Sequence, residues 1–496
     1  MFTAFWFVAY ALVVLGLSIY GAHRYVMVYL YYRHKKQHSI VPPAPTVWPV
    51  VTVQLPIYNE FHVVERLIRS VAALDYPMDK MEIQVLDDST DETVEIAARV
   101  TAELAAQGYD ICHIRRPNRH GFKAGALSYG MEQAHGEFFA IFDADFLPSP
   151  EILRQTIPYF LAEKEVGLIQ TRWGHLNSRS SLLTRLQGLF LDGHLLIEQT
   201  ARCRSGRFLN FNGTAGIWRK ETIISAGNWQ HDTLTEDLDL SYRAQMKGWR
   251  FLFLPNLVTP AELPIDMNAF KTQQHRWAKG SIQTCKKLLP RILRSELPFK
   301  IKVEAIFHLT SNFAYLLLAF LIFLLQPMLS APHHVPNYFW LIDVPIFGLT
   351  SLSVILFYAT AIREQKENKL KDLLYLPGLL ALGVGMSINN GKAVLEAVFN
   401  HESEFTRTPK YGVIGKQQAK RQFKYISLKS ILPWFEGALA FYFLYFISMA
   451  CTKGQWSSIP FLILFLMGFA YVAVLSIWPQ AAMSNTKAEP AESGAL

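Results

Sequence analysis

Acidic side chains stand in close pairs at several points of this sequence, and the pair formed by Asp143 and Asp145 is the most informative. A single alanine separates these two residues, and the apolar run 138–142 precedes them directly. Two carboxylates held this close repel each other, and a divalent cation relieves that repulsion. Mg²⁺ typically binds one or two protein carboxylates together with substrate phosphates. We therefore predict Asp143 and Asp145 as ligands of Mg²⁺ or Mn²⁺, with an ordinary Asp-capped turn as the structural alternative.

A second acidic pair, Glu236 and Asp237, follows Thr235 and opens a predicted helix over 238–247. Thr and acidic residues in this pattern also occur as ordinary helix caps. A carboxylate held at a helix start beside a metal–diphosphate site could instead accept the proton of a sugar hydroxyl. The pattern alone leaves both interpretations open.

An amide, a guanidinium and an indole follow at Gln273, Arg276 and Trp277, on successive turns of a basic helix. Arg pairs well with phosphate, and the flat apolar face of Trp can stack on a sugar ring. Trp277 could equally anchor a helix at a membrane surface. A Gly-rich stretch over 211–216 fits a plain turn as well as a binding loop.

Short apolar runs alternate with helical patterns over the part of the chain that carries these residues. This alternation predicts an α/β fold with a mostly parallel open sheet, in which ligands bind beyond the carboxyl ends of the strands. Asp87, Asp88, Asp143 and Asp145 all fall at such ends and are expected to share one edge. The predicted strands cover 51–55, 83–86, 111–114, 138–142, 167–171, 214–218 and 250–254.

The composition is apolar for one soluble enzyme, since 51% of the 496 residues are hydrophobic and 18% are charged, against about 25% charged in a typical soluble domain. An aromatic content of 13% excludes a disordered chain. Charged residues crowd into roughly 50–300, which predicts a soluble catalytic domain joined to a membrane domain. The net charge of +8 lies largely beside the apolar runs. This placement favours contact with anionic lipid over a nucleic-acid partner.

About five membrane spans are predicted, at 2–22, 305–329, 338–361, 430–450 and 458–478. Positive charge follows the first run, which puts the N-terminus outside and the catalytic domain in the cytoplasm. The run 372–399 contains Asn389, Asn390, Lys392 and Glu396, which are costly in hydrocarbon. We therefore interpret it as re-entrant, or as a buried segment that turns into an interfacial helix.

These patterns divide the chain into an N-terminal span over 1–32, a cytoplasmic catalytic domain over 45–262, amphipathic interfacial helices over 263–304, a transmembrane domain over 305–480 and a disordered tail over 481–496. The stretch 268–300 is basic and amphipathic, which suits a helix in the headgroup plane. A surface helix of the soluble domain is the alternative.

Taken in order, Asp88, Asp143-Ala-Asp145, Thr235-Glu236-Asp237 and Gln273-x-x-Arg276-Trp277 resemble the motif set of membrane-embedded family-2 glycosyltransferases. The chain resembles in particular the cellulose-synthase-like glucomannan (β-1,4-mannan) synthases and the bacterial cellulose synthase catalytic subunits. The likeness rests on the stretches 85–90, 123–127, 141–146, 211–219 and 273–277. It implies a GT-A-like fold, the fold of nucleotide-diphospho-sugar transferases.

The resemblance implies that the base and ribose of a nucleotide sugar are held by Pro56, Tyr58, Asn59, Glu60, Asp87 and Asp88. Lys123 would lie near the nucleotide, and Asp143 and Asp145 would bind it and its metal-bridged diphosphate.

Three residues would carry catalysis: Asp237 as the general base, Glu236 beside it, and Arg276, which would steady the leaving diphosphate. Trp277 would stack under the acceptor sugar at the mouth of a channel, and Gln273 would bind substrate on the same helix. The acceptor pocket would include Phe211, Asn212, Gly213 and Thr214.

The stretch 404–410 resembles the gating loop that closes over the nucleotide in cellulose synthase. Within this loop, predicted over about 400–428, Thr408 and Lys410 would bind substrate. A basic juxtamembrane loop without that role is the alternative.

The resemblance implies inverting, metal-dependent transfer from UDP-glucose or GDP-mannose. A processive synthase would build a β-linked glucomannan, mannan or glucan and pass it across the bilayer.

Two alternatives stay open. A glycolipid-forming transferase, which adds one sugar to ceramide or diacylglycerol, shares the same motifs. A scaffold or transporter without catalysis is the third hypothesis. The implied location is a bacterial plasma membrane, or a Golgi membrane in a eukaryote, and the oligomeric state stays open. Candidate residues along a polymer path are Asn312, Tyr315, Tyr338, Trp340, Trp434, Glu436, Tyr442 and Tyr445.

Overall fold

The structure, a computed structural model, describes residues 2–37, 41–330, 337–365, 369–402, 408, 410–413 and 430–478. A long first helix, α1 (Phe2–His34), leads into a seven-stranded sheet. The strands are β1 (Val51–Ile57), β2 (Met81–Asp87), β3 (Asp110–Ile114), β4 (Phe138–Ile141), β5 (Val166–His175), β6 (Gly216–Arg219) and β7 (Arg250–Ala261).

The sheet is mostly parallel, as the alternating pattern predicts. Its strand order is β3-β2-β1-β4-β6-β5-β7, and only β6 runs antiparallel to its neighbours. The sequence of β1 shows the cause, because Val53 and Leu55 face one side, Thr52 and Gln54 face the other, and all four are buried. Burial on both faces is the usual environment of parallel strands.

Eight α-helices lie between these strands along the chain, and helices pack on both faces of the sheet. They are α2 (Val64–Ala72), α3 (Thr93–Ala106), α4 (Phe122–Gln133), α5 (Ile152–Ala162), α6 (Leu182–Asp192), α7 (Gln199–Arg204), α8 (Lys220–Ser225) and α9 (Glu236–Met246). A π-helical turn, Gly193–Glu198, joins α6 to α7. One apolar core joins Val53 to Leu67 and Val100, and a second joins Phe139 to Leu127 on the other face.

The predicted acidic residues meet at one edge of the sheet. Strand β1 pairs in parallel with both β2 and β4, so the carboxyl ends of three strands lie together. Strand β2 ends at Asp87, and β4 ends at Ile141, two residues before Asp143. The expectation that these carboxylates share an edge is confirmed.

The second half of the described chain is helical. Its helices are α10 (Met267–Arg294), α11 (Phe299–Thr310), α12 (Phe313–Ser330), α13 (Asn337–Glu364), α14 (Lys369–Leu373), α15 (Leu376–Gly385), α16 (Ser387–Val398), α17 (Leu432–Thr452) and α18 (Ile459–Ile477). Helix α1 packs on α12 and α13, and α10 packs on α16.

Three helical stretches of the described residues are long and apolar enough to cross a membrane, namely Phe5–His34, Leu432–Thr452 and Trp456–Ile477. Two bent helix pairs raise this number to five if each pair forms one span. The predicted span over 338–361 lies within α13.

The run 305–329, predicted as a single span, is not one continuous helix. Helices α11 and α12 meet at 53° around Ser311 and Asn312. Ser311 Oγ donates to the carbonyl of His308 at 3.1 Å, and side-chain insertion into the backbone ladder is a common cause of a helix bend.

The run 372–399 is also broken, with a 40° bend between the segments Lys371–Gly385 and Ser387–Val398. The second segment holds Asn389 and Asn390, both buried. This geometry fits the expected buried segment that turns into a second helix, and whether it crosses a bilayer stays a prediction. The tail 481–496 and most of the loop 400–428 lie outside the described residues, and the domain boundaries stay predictions.

Candidate active site

A cavity of about 210 Å³ lies at the carboxyl ends of β1, β2 and β4. It brings together most of the residues predicted from the sequence. Those in its wall are Pro56, Tyr58, Glu60, Asp88, Lys123, Asp143, Asp145, Asn212, Gly213, Glu236, Asp237, Gln273, Arg276, Trp277, Thr408 and Lys410.

Four predicted residues do not line this cavity but support it from behind. Asp87 is buried and accepts hydrogen bonds from the His113 ring and the Ser89 amide, both at 2.8 Å. Asn59 donates its backbone amide to Ser89 Oγ at 2.8 Å. These contacts indicate that Asp87 and Asn59 hold the ends of β1 and β2 in place.

The other two supporting residues are Phe211 and Thr214, both fully buried. The Phe211 ring packs edge-on against Trp218, with ring centroids 5.5 Å apart. Thr214 Oγ accepts a hydrogen bond from the backbone amide of Asp143 at 2.9 Å. Thr214 therefore fixes the backbone that carries the first metal-binding candidate.

The two carboxylates predicted to bind a cation each face an ammonium group in this structure. Lys123 contacts Asp143 and also donates to the Gly213 carbonyl at 2.8 Å, and Lys410 Nζ lies 2.6 Å from Asp145 Oδ2. Burial alone would lower the pKa of Lys123, but the nearby carboxylates of Asp143 and Glu236 raise it above its usual value. Lys123 therefore carries its positive charge inside the cavity.

The donor set fits a cation that arrives with its substrate. Among the described residues, no cluster of three or more His, Cys, Asp or Glu side chains is placed to hold a metal ion alone. Asp143 and Asp145 supply two carboxylates in one cavity wall, which matches the one or two that Mg²⁺ usually takes alongside phosphate oxygens and waters. The pair therefore suits a metal–diphosphate and not a resident structural metal.

Asp237 sits in the first turn of α9, which begins at Glu236. The Thr235 side chain makes no capping hydrogen bond to this helix, which removes the ordinary capping explanation of the Thr-Glu-Asp pattern. Asp237 Oδ1 accepts the amide of Leu238 at 2.8 Å. Burial, followed by the charge of Glu236, raises the pKa of Asp237 to about 7. A carboxylate tuned to this range is suited to general base catalysis.

Helix α10 presents Gln273, Arg276 and Trp277 to the cavity from one face, as their spacing of three and four residues requires. The electrostatic partners of Arg276 include Glu236, Asp143 and Asp237. The Trp277 ring centroid lies 6.4 Å from that of Trp173. Both indoles line the cavity.

A short piece of the predicted loop reaches this cavity. Thr408 and Lys410 line it, and the backbone amides of Tyr411, Gly412 and Val413 donate to the Glu262 carboxylate at 3.0, 2.9 and 3.2 Å. Burial raises the pKa of Glu262. Glu262 was not predicted from the sequence. It directly follows β7, and no sequence pattern distinguishes it from other acidic residues.

Two arginines beside Asp88 and Tyr58 were also missed. Arg116 binds Asp88 through two nitrogens, at 3.0 and 2.5 Å. The Arg119 guanidinium lies 3.3 Å from the centre of the Tyr58 ring. Arg119 stands four residues before Lys123, and this i, i+4 spacing across a helix start was the available signal.

A second cavity of about 500 Å³ adjoins the first, and the walls of both include Asn212, Asp237 and Trp277. It extends between α1, α12, α13, α15 and α18 as far as Val14 and Leu321. From Arg24 to Val14 along α1, this is about 15 Å at 1.5 Å per residue. The cavity thus connects the acidic cluster to the interior of the apolar helices.

Only some of the predicted path residues line this second cavity. Asn312 and Tyr315 do, whereas Trp434 and Tyr445 are exposed on the outer surface of α17. Glu436 is buried in an ion pair with Lys271 at 2.8 Å. Tyr442 packs against Phe446 within α17. Tyr338 and Trp340 lie outside the residues whose side chains the structure describes.

Residues 49–280 match the family model described as "Glycosyltransferase like family 2". This match confirms the resemblance to family-2 glycosyltransferases that the sequence motifs indicate.

Two curated relatives are similar to this chain over the same region. Glucomannan 4-beta-mannosyltransferase 1 of Oryza sativa subsp. japonica is 40% identical over 272 residues, which cover 54% of this chain and 52% of the relative. Glucomannan 4-beta-mannosyltransferase 2 of Arabidopsis thaliana is 41% identical over 269 residues, covering 53% and 50%. The chain thus spans about half the length of the curated relatives it matches.

One solved structure has the same fold. It is the mannosyltransferase PcManGT from Pyrobaculum calidifontis in complex with GDP-Man and Mn²⁺, with a TM-score of 0.50 and 20% identity over 79% of this chain and 100% of that one. The GT-A-like α/β fold expected from the motifs is confirmed.

Proposed function

We propose that this chain is an inverting, processive mannosyltransferase that extends a β-linked glycan from GDP-mannose and passes the product into the membrane. The observation that carries the proposal is the junction of the two cavities at Asp237 and Trp277. One cavity holds the acidic cluster suited to a nucleotide sugar, and the other leads away between apolar helices. The names of the curated relatives favour a mannosyl group, so we place GDP-mannose ahead of UDP-glucose as the donor.

Asp237 would take the proton of the acceptor hydroxyl while that oxygen bonds to the anomeric carbon of the donor. The bond from this carbon to the diphosphate oxygen breaks on the opposite face, which inverts the configuration. Arg276 and Lys123 would stabilise the negative charge that collects on the leaving diphosphate, and preorganised charge of this kind usually supplies the largest part of a rate enhancement.

Asp143 and Asp145 would hold Mg²⁺ or Mn²⁺ against the diphosphate, and the bound cation would supply further positive charge to the leaving group. In this structure Lys410 takes the corresponding place beside Asp145. We infer that Lys410 moves from this carboxylate to the diphosphate when the donor binds.

The same geometry bears on the competing glycolipid reaction. The deep part of the second cavity is lined by Leu318, Leu321 and Phe465, and a lipid tail would be accommodated there. The part nearest Asp237 carries Asn212, His194 and Glu198, and these polar groups favour a sugar chain. Because the deep part of the cavity could hold a lipid tail, we keep single-sugar transfer to a lipid as the second candidate.

We place the protein in a membrane with about five spans and with the transferase domain in the cytoplasm. The basic residues that follow α1 support this orientation through the positive-inside rule. A bacterial plasma membrane and a Golgi membrane both fit this arrangement.

The proposal is tested by incorporation of radiolabelled sugar with the detergent-purified protein, comparing GDP-mannose with UDP-glucose in Mg²⁺, Mn²⁺ or EDTA. Products are divided into chloroform-soluble and alcohol-insoluble fractions, and the insoluble fraction is digested with β-mannanase. The proposal predicts metal-dependent label from GDP-mannose in insoluble, β-mannanase-sensitive material. Label confined to the organic phase would establish the glycolipid reaction instead.

A further inference from the structure

The wall of the second cavity contains an unusual piece of backbone close to the proposed base. The π-helical turn Gly193–Glu198 interrupts the helix formed by α6 and α7. Turns of this type are rare and occur frequently at functional sites. Here the turn places two polar residues, His194 and Glu198, in the cavity wall.

A hydrogen-bonded chain runs along this wall from the catalytic end. His194 Nε2 lies 3.2 Å from Asn212 Oδ1, and His194 Nδ1 lies 3.0 Å from Glu198 Oε2. Arg202 Nη1 is 3.2 Å from the same Glu198 oxygen. Asn212 belongs to both cavities, so the chain begins where the acceptor hydroxyl would meet Asp237.

Helix α1 completes the wall from the opposite side. The Arg24 guanidinium lies over the rings of Phe357 and Tyr358, at 5.2 and 5.8 Å from their centres. A Cβ on Gly193 would approach these two rings to 2.6 and 2.7 Å. The absence of a side chain at Gly193 therefore allows the π-helical turn to pack directly on the aromatic pair that supports Arg24.

Unused hydrogen-bonding capacity accompanies these groups. Within the described part of the chain, Asn212 Nδ2, Asn210 Oδ1 and Gln274 Nε2 are buried without a hydrogen-bond partner. All three residues line the second cavity. Buried polar atoms are satisfied in the great majority of native structures, so unpaired atoms in a cavity wall point to a polar ligand.

We propose that Arg24, His194 and Glu198 form an acceptor subsite that binds the hydroxyl groups of the hexose unit next to the reacting sugar. Glu198 pairs with His194 and Arg202, so the wall offers a carboxylate acceptor beside guanidinium and imidazole groups. Hydroxyl groups of a saccharide both donate and accept hydrogen bonds, and such a wall can satisfy both functions. The inference rests on the proposed polymer synthesis and adds a site that the transfer chemistry does not require.

The test compares acceptors of different length in the full-length, detergent-purified protein. Methyl mannoside fills only the position beside Asp237, whereas mannotriose also reaches the subsite. We expect wild-type protein to have a higher kcat/KM with mannotriose. Glu198→Gln and Arg24→Gln should each lose about tenfold of that preference, as expected for one hydrogen bond to a charged group. In both variants the loss of preference should come from a lower kcat/KM for mannotriose.

Glu364→Gln is the matched control, because Glu364 also pairs with a cation and a tyrosine, Lys35 and Tyr31, both at 2.9 Å. It lies on the same helix as Tyr358 but outside the cavity wall. This control should keep the wild-type preference for mannotriose. Misfolded variants would lose both acceptors equally, which also separates a structural role from a binding role.

The possible failures are distinct. If wild-type protein makes polymer while Glu198→Gln and Arg24→Gln keep its full preference for mannotriose, the subsite is wrong and the proposed function stands. If wild-type protein labels only lipid and does not use mannotriose, both the proposed function and the proposed subsite are wrong.

Discussion

Two effects raise the pKa of the Asp237 carboxyl to about 7: its burial, which is the larger, and the negative charge of Glu236. A general base must be deprotonated, so activity is present above this pKa and is lost as the pH falls through it. We predict that kcat/KM, which reports groups of the free enzyme, has an acidic limb centred near pH 7.

Glu236→Gln should move this acidic limb to lower pH, because it removes the second cause of the raised pKa. The measurement is a pH profile of kcat/KM for the acceptor, compared between the wild-type protein and Glu236→Gln. A limb that stays in place in Glu236→Gln would show that the titrating group is not Asp237.

Removal of the base itself gives a separate prediction. Asp237→Asn keeps the shape of the side chain but accepts no proton, so transfer should fall by roughly 10²–10⁴-fold, the range usual for general base catalysis. Binding of GDP-mannose, measured by titration calorimetry, should persist because Lys123, Asp143 and Arg276 are intact. Unchanged turnover would show that Asp237 is not the general base.

Some site residues were predictable one by one and others were not. Asp143 and Asp145 follow an apolar strand, and Arg276 and Trp277 share a helical face, so local pattern was enough. Glu262 meets the amides of residues 411–413 across about 150 positions of sequence. Arg116 and Asp88 are 28 positions apart. No local pattern encodes such contacts, because they depend on how separate elements are packed.

The backbone of residues 411–413 is held at the cavity by the side chain of Glu262, which directly follows β7. Glu262→Ala removes the acceptor of three backbone amides, and Lys410 then loses its fixed position beside Asp145. We predict that the KM for GDP-mannose rises about tenfold, as for the loss of one or two hydrogen bonds to a charged group.

Initial rates at varied donor concentration measure this effect. Glu65→Ala is the control, because Glu65 also binds two cationic side chains, Arg69 and Arg99, on the surface away from the cavity. A donor KM that is equal in the two variants would contradict the anchoring role of Glu262.

Helix α10 is tied to α17 by the ion pair between Lys271 and Glu436, which are 5% and 0% exposed. Removing one partner leaves a buried charge uncompensated, at a cost of about 3–5 kcal/mol. We predict that Glu436→Leu lowers the thermal unfolding temperature in detergent and that the double variant Lys271→Met/Glu436→Leu recovers most of the loss.

An exposed ion pair provides the comparison. Glu103→Gln breaks the surface pair with Arg69 and should cost no more than about 1 kcal/mol. A double variant as unstable as Glu436→Leu alone would mean that the pair does not act as a unit.

At the scale of elements, the strands and most helices follow from the alternation of apolar runs. The bends do not. The run 305–329 predicts one span because average hydropathy is insensitive to two weakly polar residues, Ser311 and Asn312, at which α11 and α12 diverge by 53°. The π-helical turn has no specific sequence signature either, because one Gly within a helical run does not specify this geometry, and the close contact of Gly193 with α13 joins distant parts of the chain.

The whole molecule places a transferase site at the end of a passage between apolar helices. The two cavities share Asp237, Asn212 and Trp277, so a product extended at Asp237 would have the second cavity as its direct exit. At the level of the sequence, only the family resemblance implied a channel beside the transferase site. Local patterns could not show this arrangement, because it depends on the packing of residues that are far apart in the chain, from α1 to α18.

Translocation into sealed proteoliposomes tests this central claim most directly. GDP-[³H]mannose is added outside, where it reaches only molecules whose transferase domain faces outward, and β-mannanase is then added outside before or after detergent. Asp237→Asn gives the background. We predict insoluble label that resists β-mannanase until detergent opens the vesicles. Label that is fully digested without detergent, or that partitions into chloroform, would contradict a synthase that passes its chain through the second cavity.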